Sequence, residues 1–270
     1  MSSSSTTTFD RLKIPIYQLD AFSSRTFGGN PAAVCPLSAW LDDSKMQAIA
    51  AENNLAETAF FVPAGDEYDI RWFTPLHEID LCGHATLASA YVVFNHLRPG
   101  RDRVSFGSKS GPLRVLADDG RLTLDFPALP AKPVAAPARL AEALGSAPVA
   151  TLEAKALVAV YPSERDVRSL SPNFDLVSKV HHHGIVVTAP GDDVDFVSRF
   201  FVPNYGIAED PATGSTHCTL TPYWAERLGK TKLRGRQLSA RGGEFWCELE
   251  GDRVLISGHV SPYLQGSIDV

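Results

Sequence analysis

RWFTPLHEIDLCGHAT at residues 71–86 and RFFVPNYGIAEDPATGS at residues 199–215 decide how this chain is read. Each starts with an arginine, two aromatics, a variable residue and a proline. Each then runs into a glycine that opens a segment of helical period. The registers nearly agree: Pro75 to Pro203 is 128 residues, and Gly83 to Gly214 is 131. A period this long is not that of a solenoid. It points to two related α/β units packed face to face. Chance recurrence of a short pattern is the alternative, and the same Gly-led helix start after both copies argues against it.

Working outward, each copy sits in a similar run of elements. In the first half, alternating apolar residues predict strands at 16–22, 32–35, 57–62 and 68–73. Asp42 or Asp43 caps a predicted helix carrying Met46, Ile49 and Ala50, and a second helix from about His84 carries Leu87, Tyr91 and Phe94. Asp118-Asp119-Gly120 predicts a hairpin between 113–117 and 121–126. In the second half, a helix over 138–144 ends at Gly145. Strands follow at 156–161, 185–188 and 196–201. A helix from about Ser215 carries Leu220 and Trp224, and a hairpin turns at Gly251. PALPAKPVAAP at 127–137 places four prolines in eleven residues, which suits neither a helix nor a central strand. It reads as a stiff, extended linker. The expected organisation is a disordered tail at 1–13 and two units at 14–127 and 128–270, with the last strand free to return to the first unit.

Composition narrows the function. The 270 residues are 44% hydrophobic, 21% charged and 9% aromatic, as in an ordinary globular protein. A net charge of −6 without a basic stripe argues against a nucleic-acid binder. No apolar run approaches the ~20 residues of a membrane helix. MSSSSTTTFDRLK lacks the apolar core of a secretory signal, so a cytoplasmic location is expected. Cys35, Cys82, Cys218 and Cys247 show no CxxC spacing and read as reduced thiols, with no zinc site or redox pair signalled.

Two segments carry chemistry when taken together. Gly83 and Gly214 each let backbone approach a ligand at a helix start, where free N–H groups and the helix dipole attract anions. Alone, His84 reads as a capping residue and EDPATGS as an acidic turn with a serine cap. Facing each other, they form a two-sided clamp for a carboxylate. Such a clamp moves no proton, and Glu57 is the candidate for that. Strand alternation puts it on the face of Ala59 and Phe61, where lost hydration suits acid–base work. Periodicity alone would equally allow a strand-end glutamate in solvent. Gly28-Gly29-Asn30-Pro31 lacks the spacing of a phosphate loop and reads as a tight turn. His181-His182-His183 reads as a solvated loop, because consecutive side chains cannot all reach one ion.

DAF at 20–22, FGGNPAAV at 27–34, NLAETAF at 54–60, RWFTP at 71–75, DLCGHAT at 80–86, SRFFVP at 198–203 and EDPATGS at 209–215 together resemble the PhzF-like family of the diaminopimelate epimerase-like superfamily. The resemblance covers nearly the whole chain. It implies an α/β (α+β) fold of two similar domains, each a barrel-like sheet around a central helix, with the site between them. It implies an isomerase without cofactor or metal, like the one acting on trans-2,3-dihydro-3-hydroxyanthranilate in phenazine biosynthesis. Glu57 would be the general acid/base, joined by His84 and Asp210. Gly83, His84, Gly214 and Ser215 would bind a small carboxylate substrate. A homodimer is implied as well. The epimerase branch uses one cysteine at each helix start. Cys82 stands at the first position, but Pro211 occupies the second and Cys218 falls inside the helix, which argues against a two-thiol reaction. An amino-acid racemase or epimerase, and a non-catalytic binding protein, remain as alternatives.

Overall fold

The structure, a computed structural model, describes residues 12–270. Most of the tail expected over 1–13 lies outside the described residues. Leu12 and Val270 exchange backbone hydrogen bonds of 2.9 and 3.0 Å, and Lys13 already begins a strand. The first half holds β1 (Lys13–Ala21), β2 (Asn30–Pro36), α1 (Asp43–Asn53), β3 (Glu57–Ala64), β4 (Glu67–Phe73), β5 (Glu78–Ile79), α2 (Gly83–Val92), β6 (Arg103–Gly107), β7 (Leu113–Asp118) and β8 (Arg121–Pro127). Then come β9 (Lys132–Pro133), α3 (Leu140–Leu144), β10 (Ala150–Glu153), β11 (Leu157–Val160), α4 (Glu164–Ser169) and α5 (Phe174–Val180). The chain closes with β12 (Ile185–Pro190), β13 (Phe196–Phe201), β14 (Glu209–Asp210), α6 (Gly214–Leu228), β15 (Lys232–Gln237), β16 (Gly243–Glu250), β17 (Arg253–Gly258) and β18 (Val260–Asp269). The fold is mixed α/β and mostly sheet.

Strand pairing repeats along the chain. Strands β1 and β2 are antiparallel, β2 and β3 parallel, and β3 and β4 antiparallel. The same sequence of relations links β10, β11, β12 and β13. Short β5 adds to β4 as β14 adds to β13. A parallel step then leads from β4 to β6, and from β13 to β15. The sets meet where β8 runs antiparallel to β17. Each set also receives a strand from the end of the other: β18 pairs with β1, and β9 with β10.

Helix α2 is wrapped by this sheet and touches β1, β2, β3, β7, β8, β18 and α6. Its sequence, GHATLASAYV, explains why. An all-round apolar helix belongs inside, and eight of its ten residues are buried. Ala85, Ala88 and Ala90 are small enough for strands to close around them. The hydroxyls of Thr86 and Ser89 donate to the carbonyls of Cys82 and Ala85, at 2.6 and 2.8 Å, so they are buried without loss. Ala85, Leu87 and Ala88 share one core with Cys218, Leu220 and Trp224 of α6.

The proline-rich stretch, expected as a stiff, extended linker, is tied to its surroundings. Ala128 and Leu129 donate backbone hydrogen bonds to Asp252 and Cys218, and Val134 donates to Thr151. Prolines are tolerated here because β9 lies at an edge. Helices α4 and α5 were not expected. Their cap residues, Ser163 and Asn173, accept from the N–H groups of Asp166 and Leu176.

Candidate active site

Both Gly-led helix starts lack a side-chain cap. Cys82 precedes α2 with extended backbone (φ −142°), and Thr213 precedes α6 likewise (φ −115°). Their first N–H groups are therefore left for other acceptors. Gly214 lies against Phe22, whose ring a Cβ would approach to 3.1 Å, whereas a Cβ on Gly83 would meet Phe126 at an ordinary 3.6 Å. Ser215 is exposed at the second position of α6.

Glu57 opens β3, in register with Ala32 of β2. Ala59 and Phe61, on its face of the strand, belong to the core around α2. The glutamate accordingly points inward, its side chain 18% exposed. Its Oε2 lies 3.0 Å from His84 Nε2, yet finds no aligned hydrogen-bond donor. The other nitrogen, Nδ1, lies 3.5 Å from Cys82 Sγ. His84 thus sits between a thiol and a carboxylate. Burial disfavours its charged form, but Cys82 and Glu57 outweigh that and hold it well above the usual histidine range. The Cys82 thiol is itself pushed up by burial and by Glu57.

Asp210 reaches the same place from the second half. Burial raises its pKa, as does Glu57, while His84 and hydrogen bonds from Thr213 and Asn30 act the other way. Asn30 Nδ2 donates to Asp210 Oδ1 at 2.8 Å and to the Ala212 carbonyl at 3.0 Å. Gln237, fully buried, accepts from the Thr213 N–H at 2.8 Å and donates to the Asp210 carbonyl at 2.7 Å. The structure therefore brings together Glu57, His84 and Asp210. It adds Asn30, Cys82, Thr213 and Gln237, which sequence reasoning did not single out as site residues. Asn30 lay in the FGGNP segment read as a turn, and Gln237 carries no local signal. His181–183 fall in a turn, where His181 faces Glu153 and His183 faces Tyr205.

One ligand atom each from Glu57, Cys82 and His84 lie within 4.8 Å of one another, a spacing that could hold a metal ion. His84 Nε2 faces both neighbours, at 3.0 Å from Glu57 Oε2 and 4.0 Å from Cys82 Sγ, while Nδ1 lies nearer the sulfur at 3.5 Å.

A sequence profile of the phenazine biosynthesis-like proteins (PhzC-PhzF) matches residues 19–266. The chain belongs to this family. An uncharacterized isomerase of Pseudomonas aeruginosa is 50% identical over 95% of this chain and 99% of its own. A PhzF-family protein of Enterococcus faecalis superposes with a TM-score of 0.94 at 43% identity, covering 96% of this chain and 100% of that one. A hydroxyproline epimerase of Agrobacterium vitis, solved with trans-4-hydroxy-L-proline bound, covers 96% of this chain and 93% of its own at TM-score 0.62. At 10% identity it shows a shared fold alone. Among the described residues no helix is long and apolar enough to cross a membrane.

Proposed function

We propose that this protein is a cofactor-independent isomerase that moves a proton on a small cyclic or amino carboxylic acid, with Glu57 as general acid/base. One observation carries the reading: the Glu57 carboxylate, its Oε2 buried, lies 3.0 Å from His84 Nε2 at the start of α2 and in the field of Asp210. A carboxylate beside an imidazole, with no strictly aligned donor fixing it, is placed to exchange a proton with a substrate. The uncapped starts of α2 and α6 would grip the substrate carboxylate and draw electron density toward it. Glu57 takes a proton from carbon, the electron pair enters the adjacent π-system, and the same carboxyl returns the proton to another carbon on that face. Cationic His84 and Asp210 orient the substrate, and Ser215 donates a hydrogen bond. Gly83 and Gly214 contribute backbone N–H groups. The trans-2,3-dihydro-3-hydroxyanthranilate reaction is the nearest pattern for this chemistry.

A two-base racemisation is less well supported, because Thr213, which stands before α6 where Cys82 stands before α2, carries no thiol, and Cys218 is buried inside α6. The test is solvent deuterium incorporation at carbon, followed by NMR over a panel of cyclic and amino carboxylic acids. Glu57→Gln should lose roughly 10²–10⁴ in exchange rate while still binding the same acid. Near-normal exchange in that variant would remove Glu57 from the mechanism.

A further inference from the structure

We propose that Gln237 is a positioning residue of the site: it turns the Thr213 hydroxyl away from the start of α6 and onto Asp210, which then accepts a hydrogen bond on each of its oxygens. A role in the reaction rests on the reading of the site given above, whereas the hydrogen-bond wiring stands without it.

Gln237 ends β15, whose alternation buries Leu233, Gly235 and Gln237 and turns Lys232 and Arg234 outward. An inward strand position ordinarily takes an apolar side chain, and burying an amide is costly unless its polar groups are matched. Here they are. Oε1 accepts from the Thr213 N–H at 2.8 Å, and Nε2 donates to the Asp210 carbonyl at 2.7 Å and to Thr213 Oγ1 at 3.1 Å. A backbone N–H can only donate and a backbone carbonyl can only accept. The amide is therefore fixed in one orientation by groups whose polarity no titration changes.

That orientation dictates the next bond. Thr213 Oγ1 takes a hydrogen from Gln237, so its own hydrogen goes to the neighbouring acceptor, Asp210 Oδ2. The Asn30 amide is fixed in the same way, since its Nδ2 donates to the Ala212 carbonyl at 3.0 Å. Its other hydrogen goes to Asp210 Oδ1 at 2.8 Å. Each oxygen of Asp210 thus faces a donor that cannot reverse, which suits a carboxylate. Burial works against that charge, as does Glu57 on β3, while His84 on α2 favours it. The Arg199–Glu209 ion pair, at 2.9 Å, stands one residue before it.

The same wiring acts on the helix. A threonine before a helix commonly caps the first turn with its hydroxyl, yet Thr213 forms no such cap on α6. With the hydroxyl committed to Asp210, the first N–H groups of α6 stay open to an anion. The start of α2 stays open without this device, because Cys82 before it offers only a weak acceptor. The residues after Gln237 extend the support. Ser239 donates to the Pro211 carbonyl at 2.6 Å, and Arg241 to the carbonyls of Gly28 and Gly29 at 3.0 and 2.8 Å. The Gly242 carbonyl accepts from the Gly29 N–H at 3.0 Å. One short stretch therefore holds both the loop that carries Asp210 and the turn that carries Asn30.

Carbon-13 NMR of the Asp210 carboxyl across pH, on the whole chain, tests this without turnover. Thr213→Val removes the hydroxyl and keeps the backbone N–H that Gln237 binds. It should raise the Asp210 midpoint by about 1–2 pH units, the worth of one hydrogen bond to a charged group. Gln237→Met should raise it in the same direction, with circular dichroism and melting showing that the variant is folded. Thr213→Ser keeps the hydroxyl and should titrate as the wild type does. The acid limb of solvent deuterium exchange at carbon should move with the Asp210 midpoint in each variant. An unchanged midpoint in Thr213→Val overturns the proposal. So does a Thr213→Ser that titrates like Thr213→Val, since bulk and not the hydroxyl would then be the cause. An acid limb that ignores the midpoint also overturns it, by confining the wiring to stability. Absence of exchange in the wild type counts against the isomerase reading, and the carboxyl titration still decides this one.

Discussion

Glu57→Gln removes one charge and almost no volume, and so isolates the pair at the centre of the site. At 3.0 Å and an effective dielectric of 20, the attraction between Glu57 and His84 is about 5–6 kcal/mol before the cost of drying both groups. Removing one member of a buried pair typically destabilises by about 3–5 kcal/mol. Because the Glu57 side chain is 18% exposed, the lower end, about 3 kcal/mol, is expected. For a chain of this size that corresponds to a melting temperature lower by roughly 6–12 °C. The pH dependence carries the sharper test. His84 is raised in the folded state, so its contribution is complete below its unfolded pKa of about 6.5 and fades as pH rises through the folded value. The gap between wild type and variant should therefore be large near neutral pH and close in alkali. Calorimetry across pH, with the His84 ring followed by NMR, measures both effects. A gap that does not change with pH, or a His84 titration identical in the two proteins, would refute the pairing argument.

His217 makes the opposite prediction. It is fully buried, its Nδ1 faces the Thr213 carbonyl, its Nε2 has no partner, and burial lowers its pKa to about 4. A depressed histidine stabilises above about pH 6.5, and that stability, about 3 kcal/mol, is lost as pH falls toward 4. His217→Gln should flatten the acid side of the stability curve, read by urea unfolding at stepped pH. Gly214→Ala should cost about 1–2 kcal/mol, because its Cβ meets Phe22 at 3.1 Å, whereas Gly83→Ala should melt like the wild type. A loss of ligand affinity in Gly83→Ala, by calorimetry, would then report backbone approach and not misfolding. Zinc should inhibit exchange through Glu57, Cys82 and His84, with chelator restoring it and Cys82→Ser blunting the effect. Asn30→Asp sets a carboxylate where Asn30 donates to Asp210 at 2.8 Å, so it should destabilise most at neutral pH and recover in mild acid. A deficit independent of pH would assign Asn30 a packing role only.

The parts of the fold that were legible are those where one local rule dominates. Leu87 and its helical spacing place a helix from about His84, where α2 runs, and Gly145 ends α3 in the left-handed region. Asp118–Gly120 makes its hairpin. Helices α4 and α5 were missed because they span only six and seven residues, too short for a period to register, although Ser163 and Asn173 supplied caps. Glu57 and His84 could be named as candidates, but their 3.0 Å approach joins β3 to α2 and no sequence spacing encodes it. The same holds for Asn30, which meets Asp210 across 180 positions. Gln237 is less legible still, since a buried glutamine on a strand looks like a surface residue until the loop it braces is in view.

The repeat is symmetric in strand pairing and asymmetric in chemistry, and the asymmetry follows from the proposed reaction. Gripping a carboxylate from two sides needs two uncapped helix starts, which a duplicated scaffold provides without further change. Moving one proton needs one base, and a second base would compete for it. Glu57, Cys82 and His84 come from the first set of strands and its helix, while the second supplies Asp210 and the Gly214 start. Asn30 then ties the two, through one bond to a carboxylate and one to a carbonyl. With Cys82 and His84 only 5% and 7% exposed, a substrate that is to touch both as well as Glu57 needs this seam to part. Those two bonds are joined by Arg241, which donates to Asp20 and to the Gly28 and Gly29 carbonyls, so opening is costly and the open form is the minor one. Apparent affinity falls with that population, and a ligand able to bridge both helix starts recovers it on closure. A carboxylate shared between the two helix starts does that, whereas a ligand held by one of them does not.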